Sequence, residues 1–169
     1  DSMTSILFMG VDKDELGTVK NVVGTGGQAD ALYLIAIDTD NGVTTTFQIS
    51  RNTMVDIDLY NTAGDFIRTE NNQICLSYAY GDGKETSAEN TVRSVRRLFY
   101  GLPVAQSYTT LDISGISALN DSIGGVTVTS PVTYKDDNNK VVYNEGQTYE
   151  LHGKDAENFV RSRNHETAN

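Results

Sequence analysis

Three residues in the first third of this chain have the types and positions suited to handling a phosphorylated anion: Asp12, Asp30 and Arg51. Each stands at the end of an apolar or β-branched run. Asp12 closes Ile6-Leu7-Phe8-Met9-Gly10-Val11, Asp30 precedes Ala31-Leu32-Tyr33-Leu34-Ile35-Ala36-Ile37, and Arg51 follows Val43-Thr44-Thr45-Thr46-Phe47-Gln48-Ile49. Carboxylates suit hard, oxygen-liganded cations such as Mg²⁺ or Mn²⁺. A planar guanidinium binds phosphate oxygens in bidentate fashion. Phosphoryl transfer asks chiefly for such positioning and charge neutralisation. Arg161 and Arg163 add two more guanidinium groups near the end of the chain. Residue type alone leaves commoner roles open. A lone Asp after a strand is usually a turn residue or a helix cap, Arg51 also fits a surface salt bridge, and arginines two apart on a helix do not share one face.

Composition narrows the field. The 169 residues hold 13 basic against 23 acidic side chains, a net charge of -10. Non-specific nucleic-acid binding needs a broad positive field and is disfavoured, so an anionic ligand must be held by a local arginine cluster, a metal, or both. The single cysteine, Cys75, excludes an internal disulfide and sits in the apolar run Ile74-Cys75-Leu76, where a buried inert thiol is expected. No stretch approaches the roughly 18 apolar residues of a membrane span, and no targeting segment is visible at the start. His152 and His165 lack partners at metal or triad spacing. Arg93, Arg96 and Arg97 form a second basic patch that a solvated helix face explains.

The elements that must position these residues alternate between strand and helix. The three runs above read as strands, the second and third as an antiparallel hairpin turning at Asp38-Thr39-Asp40-Asn41-Gly42. The polar, Gly-rich stretch from Lys13 to Gln28 reads as a loop. Val55 to Asp58 reads as a short edge strand, and Asn72 to Tyr80 as a short helix ending at Gly81. A longer helix spans Thr86 to Tyr100, opened by a Thr86-Ser87-Ala88-Glu89 capping box, with Ala88, Val92, Val95 and Phe99 on one face. Tyr108 to Leu111 is strand-like. Asp112 or Ser114 caps a helix carrying Ile116, Leu119 and Ile123, Val126 to Val128 is a strand, and Lys135 to Lys140 is an exposed hairpin tip. The pattern from Lys154 to Arg163 is helical with Ala156, Phe159 and Val160 inward. The early hairpin rules out a purely parallel sheet. The expected fold is a single three-layer α/β/α domain, a central mixed sheet covered by helices on both faces, with ligands collecting where strands end.

Seven stretches in order resemble one family. Ile6 to Asp12 is similar to the opening strand of LytR-CpsA-Psr domains, and Gln28-Ala29-Asp30 to their Arg-Ser-Asp motif. Ile49-Ser50-Arg51-Asn52-Thr53 resembles their Ile-Pro-Arg-Asp-Thr segment. Ser77 to Gly81, Glu89-Asn90, Gly124 to Val128 and Phe159 to Arg163 follow in the family's sequence, so the resemblance covers about residues 5 to 163.

The resemblance implies an extracellular phosphotransferase, anchored in the cell membrane, that moves a teichoic-acid or capsule-type glycopolymer from a polyprenyl-pyrophosphate carrier onto peptidoglycan. It implies that Asp12 and Asp30 bind Mg²⁺ or Mn²⁺ and that Arg51, Arg161 and Arg163 hold the pyrophosphate, with Gln28 and Asn52 beside it. It also implies that the family's C-terminal segment and N-terminal membrane anchor lie outside these 169 residues. The chain departs from the pattern where it matters for charge: Gln28 stands where the family has Arg, and Ser50-Arg51-Asn52 replaces Pro-Arg-Asp. Glutamine donates hydrogen bonds but carries no charge, so Gln28→Arg is expected to tighten pyrophosphate-lipid binding by about tenfold or more. The alternatives to transfer are a binding module without turnover and a pyrophosphatase-like hydrolase.

Overall fold

A computed structural model describes residues 2–14 and 23–162. The chain falls into two compact units, Asp1–Ile113 and Ser114–Asn169. The first unit contains strands β1 (Met3–Val11), β2 (Ala29–Asp38), β3 (Val43–Ile49), β4 (Met54–Tyr60) and β5 (Phe66–Gln73), helices α1 (Leu76–Ala79) and α2 (Glu85–Leu98), and strand β6 (Ser107–Leu111). Four strands form a sheet in the order β3-β2-β1-β6. The pairs β1–β2 and β2–β3 are antiparallel and β1–β6 is parallel. The expected α/β fold with a central mixed sheet and packed helices is the fold observed.

Alternation along the strands decides which face is buried. Leu7, Met9 and Val11 of β1, with Leu32 and Leu34 of β2, are at most 3% exposed. The register sets Leu7 opposite Leu34 and Met9 opposite Leu32, so these side chains form one continuous apolar layer. Ala88, Val92 and Val95, spaced by four and three along α2, are buried in the same core as Ile57, Ile74 and Tyr78. Fully burying one such aliphatic side chain contributes about 1.5–3 kcal/mol, so the α2 stripe fixes the helix far more firmly than its propensity does. Gly10 faces Ala31, and a Cβ on it would lie 3.0 Å from the Ala31 Cβ.

Several local expectations change. The helix expected from Asn72 to Tyr80 is shorter: Asn72 and Gln73 belong to β5, which pairs antiparallel with β4, and only Leu76–Ala79 is helical. The β-branched signal of β5 is diluted by its polar residues Arg68, Glu70, Asn71 and Asn72, which hid it. Thr86 does not cap α2. The helix begins at Glu85, the Asp82 carboxylate accepts from the Lys84 and Ser87 amides, and Ser87 Oγ accepts from the Gly83 amide. Gly81 makes that arrangement possible, because a Cβ there would overlap the Ser87 backbone.

Arg93 and Arg97 are not a solvated patch. Asp58 of β4, its side chain 8% exposed, accepts from Arg93 Nε at 3.1 Å, Arg97 Nη2 at 2.8 Å and Thr69 Oγ1 at 2.8 Å. Arg93 Nη2 also donates to the Tyr60 hydroxyl and Arg97 Nη1 to the Asp56 carbonyl. Arg96 donates to the Val104 and Ala105 carbonyls. Burial pushes the Asp58 carboxyl up, but hydrogen bonds from Thr69 and Arg97, the Arg97 charge and the Arg93 bond outweigh it. The group ends below the ordinary carboxylate range.

The second unit holds α3 (Gly115–Ser122), β7 (Val126–Thr129), β8 (Tyr134–Lys135), β9 (Val141–Tyr143), β10 (Thr148–Leu151) and α4 (Lys154–Arg161). Strand β7 pairs antiparallel with β10, and β8 with β9 across the expected tip. Tyr143 is the hub of its small core, with ring contacts to Tyr134, Tyr149 and Phe159. Ser114 precedes α3 as expected but makes no side-chain cap to it, and Leu119 and Ile123 are exposed. Ala156 is buried as expected; Val160, one turn further along the same side of α4, is 54% exposed, against expectation.

Candidate functional site

The antiparallel pairing of β1 with β2 brings the end of one strand beside the start of the next, so Asp12 and Asp30 meet at one end of the sheet. The pairing of β2 with β3 delivers Arg51 to that same end. The link between the strands is tight. The Asp12 amide donates to the Gln28 carbonyl at 3.1 Å, and the Gln28 amide donates back to Asp12 Oδ1 at 2.5 Å. Gly27 allows this approach. Its φ is +89°, and a Cβ there would lie 2.8 Å from Val11 Cγ1 and 3.1 Å from Asp12 Oδ1.

Arg51 is the centre of the cluster. Its Nη1 donates to Asp30 Oδ2 at 2.7 Å and its Nη2 to Gln28 Oε1 at 2.8 Å. The guanidinium fork is therefore held in one orientation by a carboxylate and an amide two residues apart, both reaching it from the start of β2. Arg51 remains 42% exposed and Asp30 32% exposed. A groove of roughly 450 Å³ runs beside them, lined also by Tyr33, Gln48, Ile49 and Ser50. An oriented, accessible guanidinium beside a groove can offer its remaining N–H groups to phosphate oxygens while Asp30 and Gln28 keep it aimed.

Cys75 braces this corner, which its place in an apolar run does not disclose. Its amide donates to the Arg51 carbonyl and its carbonyl accepts from the Ala29 amide, so the backbone of residue 75 ties the end of β3 to the start of β2. The thiol lies 3.6 Å from Gln28 Oε1 and 3.9 Å from Arg51 Nη2. Burial pushes the Cys75 thiol up, partly opposed by the Arg51 charge. It is fully buried, in keeping with an inert packed thiol.

The other expected residues lie as follows. Asn52 is exposed in the turn after β3, its amide donating to Ser50 Oγ. Arg161 ends α4 in the second unit, 3.5 Å from Glu157, whose carboxylate also takes Lys154 at 2.7 Å. Hydrogen bonding from Lys154 is the main reason that Glu157 is held below its ordinary range. Arg163 lies outside the described residues. His152 faces Glu150 at 3.2 Å.

The donor set sets limits on a metal. Among the described residues no three His, Cys, Asp or Glu side chains gather into a cage. Asp12 and Asp30 could supply only one or two oxygens. That number fits Mg²⁺, which keeps several waters and takes its remaining ligands from substrate phosphates. It does not fit a cation held by protein alone.

Comparisons with known proteins agree on one family. The LytR_cpsA_psr family model matches residues 1–169. A polyisoprenyl-teichoic acid–peptidoglycan teichoic acid transferase TagU from Bacillus cereus is 29% identical over 159 residues, covering 94% of this chain and 44% of the relative. The transferase of the same name from Enterococcus faecalis is 24% identical over 133 residues, 79% of this chain and 37% of the relative. This chain thus spans less than half the length of those relatives. The crystal structure of B. subtilis TagV superposes with a TM-score of 0.69 at 26% identity, over 96% of this chain and 56% of that one.

Proposed function

Because this chain belongs to the LytR_cpsA_psr family, we propose that it carries part of the machinery that transfers a glycopolymer from a polyprenyl-pyrophosphate carrier to peptidoglycan. The observation that carries this reading is the convergence of Asp12, Gln28, Asp30 and Arg51 at one end of the sheet. The donor binds with its pyrophosphate over Arg51, at the outer face of the cell membrane, where both carrier and wall are within reach. No helix among the described residues is long and apolar enough to cross a membrane.

In the reaction a wall hydroxyl attacks the polymer-side phosphorus and releases its proton to solvent. The bond to the bridging oxygen breaks, and polyprenyl phosphate leaves with that oxygen. Arg51 neutralises the phosphoryl oxygens through its fork, and Asp30 and Gln28 hold that fork aimed beforehand. Asp12, clamped by the Gln28 amide, and Asp30 are the residues that would hold Mg²⁺ or Mn²⁺, which would neutralise charge on the leaving phosphate. Arg161 and Arg163 belong to the same reading as further phosphate ligands, and Asn52 as a neutral one.

The test is calorimetric and chemical. Mg²⁺ and a polyprenyl-pyrophosphate donor should bind more tightly together than singly, and Asp30→Ala should abolish that coupling. Unchanged coupling in both Asp12→Ala and Asp30→Ala would sink the metal assignment. Product analysis with a wall acceptor separates transfer from hydrolysis. One observation favours a second reading, binding without turnover: Gln28 engages Arg51 yet adds no charge to the anion site. Tight binding with neither product would support it.

A further inference from the structure

Strand β3 is an edge of the four-stranded sheet, hydrogen-bonded on one side to β2. Its sequence is Val43-Thr44-Thr45-Thr46-Phe47-Gln48-Ile49, and all but Ile49 are exposed. Among the described residues its outward backbone groups meet no other strand or loop. Edges of this kind are normally blunted by charge, proline or a bulge, because open amides and carbonyls template pairing with another chain. None of these devices is present in β3. The register of β2 with β3 runs unbroken from Asp38–Val43 to Leu32–Ile49. Strand β5, by contrast, carries Arg68 and Glu70, paired to each other. On a chain of net charge -10, β3 is a long uncharged strand on which two like-charged copies can meet.

We infer that β3 is a self-association edge, pairing antiparallel with β3 of a second copy across a two-fold axis at Thr46. This register uses all seven residues and is self-complementary. Thr46 meets Thr46, Thr45 meets Phe47, Thr44 meets Gln48, and Val43 meets Ile49. Aromatic with β-branched and Thr with Thr are favourable cross-strand pairs. Val43, Thr45 and Phe47 share the face of the buried residues Leu32 and Leu34, and Phe47 already stacks edge-on against Phe99 at 5.9 Å. Pairing therefore joins the two apolar layers and covers Val43 and Phe47, which are 53% and 44% exposed. The result is an eight-stranded sheet running through both copies.

The proposal is tested by sedimentation velocity over a concentration series. The wild-type protein should show a monomer–dimer equilibrium. Thr44→Lys with Thr46→Lys, both on exposed positions, should raise its dissociation constant by about tenfold or more, because like charges then face each other across the axis. Circular dichroism identical to wild type shows that the variant is folded. Thr46→Cys should cross-link to a covalent dimer under mild oxidation, since directly opposed Cα atoms in an antiparallel pair lie about 4.5–5.5 Å apart, within disulfide reach. Wild type, with its buried Cys75, and Thr62→Cys in the β4–β5 turn should not. A wild-type protein that stays monomeric at all concentrations and a Thr46→Cys variant that does not cross-link would overturn the proposal. So would strong hydrogen-exchange protection of residues 44–48 in a strictly monomeric protein, which would assign the edge to another occupant.

Discussion

Two arginine–carboxylate clusters in the first unit are built from the same chemistry and serve different ends. At Asp58 one nearly buried carboxylate receives Arg93, Arg97 and Thr69, and each arginine also donates to a second partner, Tyr60 or a backbone carbonyl. The cluster stitches α2 to the β4–β5 ribbon. At Arg51 the order is inverted: one guanidinium is shared between Asp30 and Gln28 and stays 42% exposed beside a groove. A carboxylate only 8% exposed, gripped by three side chains, marks the first as a structural joint. An oriented but accessible cation marks the second as a place for an incoming anion. Charge alone does not separate a brace from a binding site; what surrounds the charge does.

The largest expected effect comes from Asp58→Ala. Removing the carboxylate strands two partly buried guanidinium groups, and urea unfolding should show a loss of about 3 kcal/mol. Arg51→Ala, whose ion pair is half exposed, should cost no more than about 1 kcal/mol while abolishing measurable pyrophosphate binding. Equal stability losses at the two sites would break the comparison.

Acid should discriminate in the same way. The Asp58 carboxyl is held below its ordinary value. Its contribution is thus fully present above the unfolded value, near 3.8, and is lost as pH falls through the lower folded value. Unfolding free energies measured between about pH 5 and pH 2.5 should fall more steeply for wild type than for Asp58→Asn. Parallel curves would mean that this carboxylate is not the acid-sensitive joint.

A conservative exchange sharpens the contrast further. Arg51→Lys keeps the charge and loses the fork, so pyrophosphate affinity should drop about tenfold with stability nearly unchanged. Arg93→Lys should do the reverse, lowering the unfolding midpoint and leaving affinity alone.

The smallest effect is expected at Gln28. The sequence pattern favoured a gain of about tenfold or more on Gln28→Arg. Gln28 Oε1, however, is the acceptor for Arg51 Nη2, and an arginine there removes that acceptor and sets a like charge beside Arg51. The gain in attraction and the loss of alignment oppose each other. Titration should show a change within about threefold.

The convergence of Asp12, Gln28, Asp30 and Arg51 was legible in the chain because hydrophobic runs fix strands, and consecutive antiparallel strands place their adjoining ends together. Gln28 and Asp30, two apart at the start of β2, do reach the same guanidinium. The Asp58 cluster was not legible. Its partners come from positions 58, 69, 93 and 97, on three elements, and one of them, β5, has too polar a sequence to announce itself as a strand. Cys75 was read correctly as a packed thiol, but its brace is made by backbone groups, which leave no trace in residue type.

The Ser5–Gln106 contact carries a consequence for biosynthesis. Ser5, near the start of β1, gives its amide and hydroxyl to the Gln106 side chain just before β6, across 101 residues of sequence, whereas at the other end of β1 the Arg51 guanidinium meets Gln28, Asp30 and Cys75, all in the first half of the chain. During synthesis the hairpin strands and their arginine can therefore come together on the ribosome while β6 is still being made. Closure of the sheet waits for a long loop to be drawn in, which is the slow kind of step in folding. The anion-handling corner is an early-born part of the molecule, and the chain spends the interval with its β1 edge open, an interval in which a chaperone has a defined strand to guard.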